Sequence, residues 1–163
     1  MTSLFDSVSL MHGRVMPNRF MLSPLTNQQS NVDGTLSEEE FTWLTMRAQG
    51  GFGLTMTCAS HVQRIGQGFP GQLGCFGDEH AVGLKRIADA IRATGNLSYV
   101  QLHHAGNRSP KELIGEVPVC PSEDAETGAR ELTRAEVEQL IADFVAAAVS
   151  CDNAGFDGVE LHG

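Results

Sequence analysis

Three apolar runs in this chain end on residues that can do chemistry. Phe156-Asp157-Gly158-Val159-Glu160-Leu161-His162 reads as a buried strand closing on a polar histidine, with Gly163 after it. Leu97-Ser98-Tyr99-Val100-Gln101-Leu102 carries a primary amide near its end and runs into His103-His104. Arg19-Phe20-Met21-Leu22 opens onto Ser23-Pro24-Leu25-Thr26. The carboxyl ends of parallel strands are where α/β proteins place their catalytic side chains, so His162 is a candidate for chemistry. A histidine at a strand end also has a plain structural reading. A glutamine amide offers a donor and acceptors and is costly to bury unsatisfied, so Gln101 either finds partners in the core or faces a ligand edge with both kinds of group. Side chains two apart on a strand share a face, which aligns Gln101 with His103 and sets Leu102 and His104 opposite. The adjacent histidines therefore cannot both line one site. Taken alone, Ser23 to Thr26 reads as a strand exit with a rigid proline turn.

With 163 residues and 41% apolar content, the chain has the make-up of an ordinary globular protein able to bury one core. The net charge of −9, with no run of Lys or Arg, disfavours nucleic acid and anionic membranes and points to a small-molecule partner. The start, Met1-Thr2-Ser3-Leu4-Phe5-Asp6, has no basic stretch followed by an apolar core. No apolar run approaches the roughly 18 residues of a membrane span, so the expected location is the cytoplasm. Cys58, Cys75, Cys120 and Cys151 lie far apart with no Cys-x-x-Cys pair, which argues for buried free thiols in a reducing compartment and against a metal site.

An alternating set of elements must position the three strand ends. Beyond the first strand a polar stretch ends in Asp33-Gly34-Thr35-Leu36, a turn signal. Ser37 ahead of Glu38-Glu39-Glu40 is a capping box in which the Ser37 hydroxyl accepts the Glu40 amide and Glu40 reaches back. Phe41, Leu44, Thr45 and Ala48 then keep helical spacing to Gly50-Gly51. Phe52 to Cys58 has strand character, and a glycine-rich loop from His61 to Gly77 leads to a helix from about Asp78 to Ala93, closed by Gly95. The strand from Leu97 to Leu102 follows, then a loop with Pro110, Pro118 and Pro121. Thr133 and Glu136 form a second capping box before a stripe of Val137, Leu140, Ile141, Phe144, Val145 and Ala148. The His162 run is the fourth strand.

This β-α-β-α-β-α-β order, with long crossovers, predicts a parallel sheet with right-handed connections. A doubly wound dinucleotide fold would want a tight glycine turn after the first strand, where Ser23-Pro24-Leu25-Thr26-Asn27-Gln28 stands instead. A (β/α)8 TIM barrel is preferred. Val8 to Pro17 alternates with period two around Gly13 and reads as a hairpin that could plug the barrel floor. The fold class expected is therefore α/β, with residues 1–163 supplying an amino-terminal hairpin and the first four strands with three helices, half of a single barrel domain.

Three segments carry a family resemblance. Asn18-Arg19-Phe20 with Ser23-Pro24-Leu25-Thr26, then Gln101-Leu102-His103-His104-Ala105-Gly106, then Gly155-Phe156-Asp157-Gly158-Val159-Glu160-Leu161-His162-Gly163 resemble the successive signatures of the old yellow enzyme family, FMN-dependent barrel oxidoreductases that use NAD(P)H. The resemblance runs over the whole chain and covers the first half of that barrel. It implies an FMN across the barrel mouth, met by side chains from adjacent strand ends. On this resemblance Ser23, Pro24, Leu25 and Thr26 wrap the flavin, with the Thr26 hydroxyl beside O4 tuning its potential. Ala59 lets a backbone amide approach the ring, Gln101 meets the pyrimidine edge, and His104 has a structural task. His162 is then the catalytic residue, one of two donors to the carbonyl or nitro oxygen of an activated alkene, stabilising the negative charge that builds as hydride arrives.

The second donor and a tyrosine that protonates the substrate would fall beyond Gly163, since the only tyrosine, Tyr99, lies inside a strand. Gln28 stands where some relatives carry a pocket tyrosine, and Thr26 where some carry a redox-tuning cysteine, which leaves substrate preference open. Arg108 reads as a solvated loop residue. Two functions from different classes result. One is an FMN-dependent ene-reductase acting on enones, completed by a carboxyl-terminal half-barrel and inactive as this piece alone. The other is a non-catalytic half-barrel whose open sheet edges drive homo-oligomerisation or pairing with a complementary half. A larger iron–sulfur relative of the dienoyl-CoA reductase type is a further alternative, with its cluster cysteines after Gly163.

Overall fold

The computed structural model describes residues 2–163. In chain order the elements are β1 (Val8–Ser9), β2 (Val15–Met16), β3 (Met21–Leu22), α1 (Glu38–Gln49), β4 (Leu54–His61), α2 (Asp78–Arg92), β5 (Leu97–His103), the single turn α3 (Lys111–Ile114), β6 (Val119–Cys120), β7 (Arg130–Glu131), α4 (Arg134–Ala154) and β8 (Gly158–Leu161). β3, β4, β5 and β8 form one parallel sheet in that order. These are the four strands expected, although β3 is only two residues long.

Local signals set the helix ends. The Ser37 hydroxyl accepts the Glu40 amide at 3.1 Å, and the Thr133–Glu136 box closes in both directions. α4 stops where Gly155 adopts a left-handed φ of 97°, giving its N–H to the Cys151 and Asp152 carbonyls. The expected return of Glu40 to Ser37 does not occur. Its carboxylate is drawn inward instead, to Asn27, Ser30 and Cys58, because three side-chain donors from other segments compete with the single Ser37 backbone N–H.

The placement of the helices decides between the two architectures. Leu22, Cys58, Val62, Val100 and Leu102 of the sheet meet Leu44 of α1, Leu84, Ile87 and Ile91 of α2, and Ala147 and Cys151 of α4 in one core. α1 lies against α2 and α2 against α4, side by side over one face. A doubly wound sheet would carry helices on both faces. The opposite face is covered at its lower end by the β1–β2 hairpin, where Val8, Leu10 and Met16 pack on Leu54, Met56, Leu97 and Tyr99. This is the one-sided wrapping of a barrel with the hairpin as its floor.

Two further ties fix the floor. Asn18 accepts the Phe20 and Gly53 amides at 3.0 and 3.1 Å and donates to the Gly51 carbonyl at 2.8 Å, stapling β3 to the start of β4. Arg14 of the hairpin pairs with Asp157 at 3.1 Å, and Asp157 also accepts the Ser98 amide. Gly158 is required where it stands, because a Cβ there would come within 2.5 Å of the Tyr99 ring.

The stripe on α4 proves two-sided. Leu140, Phe144 and Ala148 pack on the core, whereas Val137, Ile141, Val145 and Val149 are exposed, since the sheet covers only one flank of a helix at the end of the row. The loop between β5 and α4 holds α3 and the short parallel pair β6–β7, neither of which the periodicity announced. All four cysteines are buried and unbridged. Among the described residues no helix is long and apolar enough to cross a membrane.

Candidate functional site

Parallel register aligns the strand ends. Ala59 of β4, Gln101 of β5 and Glu160 of β8 form one row, and His61 and His103 pair two residues further along. The His162 amide continues the ladder by donating to the Leu102 carbonyl at 2.9 Å. Leu102 is fully buried in the helix-side core, so Gln101 and His103 project from the opposite, inner face. The His103 and His162 rings meet there at 5.1 Å, nearly edge to face. His104 turns elsewhere, as alternation requires. Its Nδ1 accepts the Gly106 amide at 3.0 Å, and Gly66 lies so close to its ring that a Cβ would come within 2.4 Å.

Ala59 sits just above a bulge. Between the Met56–Tyr99 and Ala59–Gln101 pairs, β4 uses one more residue than β5. The Thr57 hydroxyl fills the interrupted ladder by accepting the Gln101 amide N–H at 3.4 Å. The Gln101 side chain is another matter. The residue is 7% exposed, and among the described residues its side-chain amide has no hydrogen-bond partner. An amide held at the rim with both its donor and its acceptor uncommitted fits a ligand edge that presents both.

Gln72 was not anticipated from the sequence. It is fully buried, accepts the Gly68 amide at 2.7 Å, and donates to the Ala59 carbonyl at 2.8 Å and to His103 Nδ1 at 3.2 Å. One side chain thereby ties the loop after β4 to both β4 and β5. It also sets the tautomer of His103, whose proton stands on Nε2. Burial, with His162 and His104 nearby, lowers His103 to about 4, so the ring is neutral at physiological pH. His61 falls to about 4 mainly through burial, with its Nδ1 donating to the Gln63 carbonyl, and burial lowers His104 as well.

The proposed flavin-wrapping segment lies one strand over, beyond β3. Ser23, Leu25 and Thr26 are exposed and Pro24 is half-buried. Among the described residues no hydrogen bond joins Thr26 to Ala59, Gln101 or His162; the sheet gathers these residues at one rim, with Thr26 on its flank. His162 and Arg108 are exposed. A cleft of about 320 Å³ bounded by Asn31, Asp33, Arg64, Gln67 and Leu113 includes neither Gln101 nor His162. Among the described residues no group of three His, Cys, Asp or Glu could hold a metal ion.

Comparison with known proteins matches residues 3–163 to the model of the NADH:flavin oxidoreductase / NADH oxidase family. The probable NADH-dependent flavin oxidoreductase YqiG of Bacillus subtilis is 38% identical over 98% of this chain and 44% of its own length. The NADH:acrylate oxidoreductase of Vibrio harveyi is 33% identical over all of this chain and 17% of its own length. The solved old yellow enzyme homologue from Zymomonas mobilis superposes with a TM-score of 0.90 at 29% identity, covering 99% of this chain and 48% of that one. The chain thus spans about half the length, or less, of the proteins it matches.

Proposed function

The chain belongs to the NADH:flavin oxidoreductase / NADH oxidase family, and from that premise we propose that it is the amino-terminal half of a single FMN-binding TIM-barrel domain. The whole protein would use NAD(P)H to reduce the C=C bond of activated alkenes such as enones. FMN and NAD(P)H are the cofactors that go with this family. The observation that carries the reading is the uncommitted amide of Gln101, level with Ala59 and one strand from His162 on the inner face.

Each residue has a task on this reading. Ser23, Pro24, Leu25 and Thr26 hold one flank of the ring, Thr26 by its hydroxyl. Ala59 would leave room for a close approach, and Gln101, with its donor and acceptor uncommitted, would help hold the ring. FMN, when bound, would supply hydride chemistry at this site. His162 donates a hydrogen bond to the substrate oxygen as negative charge gathers on it, a contribution realised in the transition state. Neutral His103, locked by Gln72, keeps a positive charge away from that donor. The Vibrio harveyi relative is named for acrylate, an alkene activated by a carboxylate, which supports the substrate class.

The experiment is spectroscopic and kinetic. The complete protein should carry a yellow flavin and oxidise NAD(P)H when given cyclohexenone. Failure to bind flavin, or flavin with no enone-dependent oxidation, overturns the reading.

A second reading concerns partners. Val137, Ile141, Val145 and Val149 form an exposed apolar line on α4, and Leu161 of the terminal strand is 67% exposed. These surfaces suit a complementary half-barrel or a second copy of the chain. Light scattering on the isolated 163-residue chain should give a dimer, a larger species or aggregation, and a stable monomer would count against it.

A further inference from the structure

Glu40 is a buried acid that the capping of α1 leaves over. It is 0% exposed, at the third position of the helix. Its carboxylate accepts hydrogen bonds from three side chains on two other segments: Asn27 Nδ2 at 3.1 Å, Cys58 Sγ at 3.2 Å and the Ser30 hydroxyl. No cation is among them, so dipoles alone hold the group, helped by the free N–H groups of the first helical turn. Burial and the neighbouring carboxylate push the Cys58 thiol up, which keeps the proton it donates.

The partners matter for where they stand. Asn27 follows Thr26 and Cys58 precedes Ala59. Ser30 carries the clamp further, because its amide donates to the Gly71 carbonyl at 3.0 Å, next to the Gln72 that grips Ala59. We infer that Glu40 is a positioning residue for the flavin site, a buried clamp whose carboxylate sets the spacing between the Thr26 loop and the Ala59 end of β4. This rests on the FMN reading above. A carboxylate can accept from all three donors at once, whereas a glutamine amide turns two hydrogens toward at least one of them and leaves a buried donor unmatched.

The test uses the flavin-loaded complete protein in three forms: parent, Glu40→Gln and Ser30→Ala, the last removing one donor while keeping the carboxylate. Glu40→Gln should shift the visible flavin band and the midpoint potential, and weaken FMN binding by about tenfold, the scale of one lost charge-assisted hydrogen bond. Ser30→Ala should move the same quantities in the same direction by less. Spectrum and potential are read at a temperature where circular dichroism shows the variant folded, so a loss of stability alone would leave them unmoved. If the parent binds FMN and both variants match it, the clamp is overturned and the flavin reading stands. A parent that binds no FMN overturns the flavin reading and the clamp with it. If Glu40→Gln does not fold, Ser30→Ala decides: a shift supports the clamp and parent-like behaviour overturns it.

Discussion

The two faces of one sheet have been given opposite work. On the helix side Val100 and Leu102 are wholly buried against Leu84, Ile87 and Ile91. On the inner side of β5 the neighbouring residues, Gln101 and His103, are polar and meet other strand ends. The alternation of a strand makes this possible, because adjacent residues of one segment point to opposite faces. The helix-side face carries the larger buried apolar core, and the polar strand ends of β5 point the other way. Each buried aliphatic side chain contributes about 1.5–3 kcal/mol.

Mutation should separate the faces. Leu84→Ala, deep in the helix-side core, should lower stability by about 2–5 kcal/mol in denaturant titration. His162→Ala, on the exposed rim, should change stability by less than about 0.5 kcal/mol yet cut kcat of the complete enzyme by about 100- to 1,000-fold. If His162→Ala unfolds the protein, or leaves turnover intact, the division of labour is wrong. Gln72→Leu sits between the extremes. It strips the Ala59 carbonyl and His103 of a partner, and should cost about 1–3 kcal/mol in thermal unfolding.

Acid offers a finer test. His61 and His103 have folded values of about 4 against an ordinary 6.5, so between those limits the unfolded chain binds more protons than the folded one. Stability from these groups is therefore complete above pH 6.5 and lost as pH falls toward about 4. His61→Gln should show a shallower decline across that window, measured by urea unfolding at a series of pH values. The smallest effect belongs to Arg14→Ala. Its side chain is 55% exposed in the pair with Asp157, and the change should cost no more than about 1 kcal/mol.

Much of the fold was legible because its signals are short-range. Ser37 and Thr133 announced their helices through a partner three residues on, and Gly155 ended α4 through its own backbone freedom. Period-two alternation sorted Gln101 and His103 from Leu102 and His104, and Val8 to Pro17 disclosed the hairpin. The order of elements gave the parallel sheet, and Asn18, Gln101 and the terminal His162 run carried the family likeness.

Other features depend on groups far apart in the chain. Gln72 reaches His103 across 31 residues, and nothing in its own glycine-rich loop distinguishes it from a solvated side chain. Glu40 looked like half of a capping box until the packed structure supplied Asn27, Ser30 and Cys58 as better donors. The bulge before Ala59 appears only when β4 is laid against β5. The apolar stripe of α4 was visible as a period, but which half of it meets the core is decided by the flank the sheet covers. Residue type and spacing determined the elements, their order and the inward-facing rim. Tertiary contact decided which buried polar groups satisfy one another, because an unpaired donor in the interior takes the nearest acceptor in space, whatever its place in the chain.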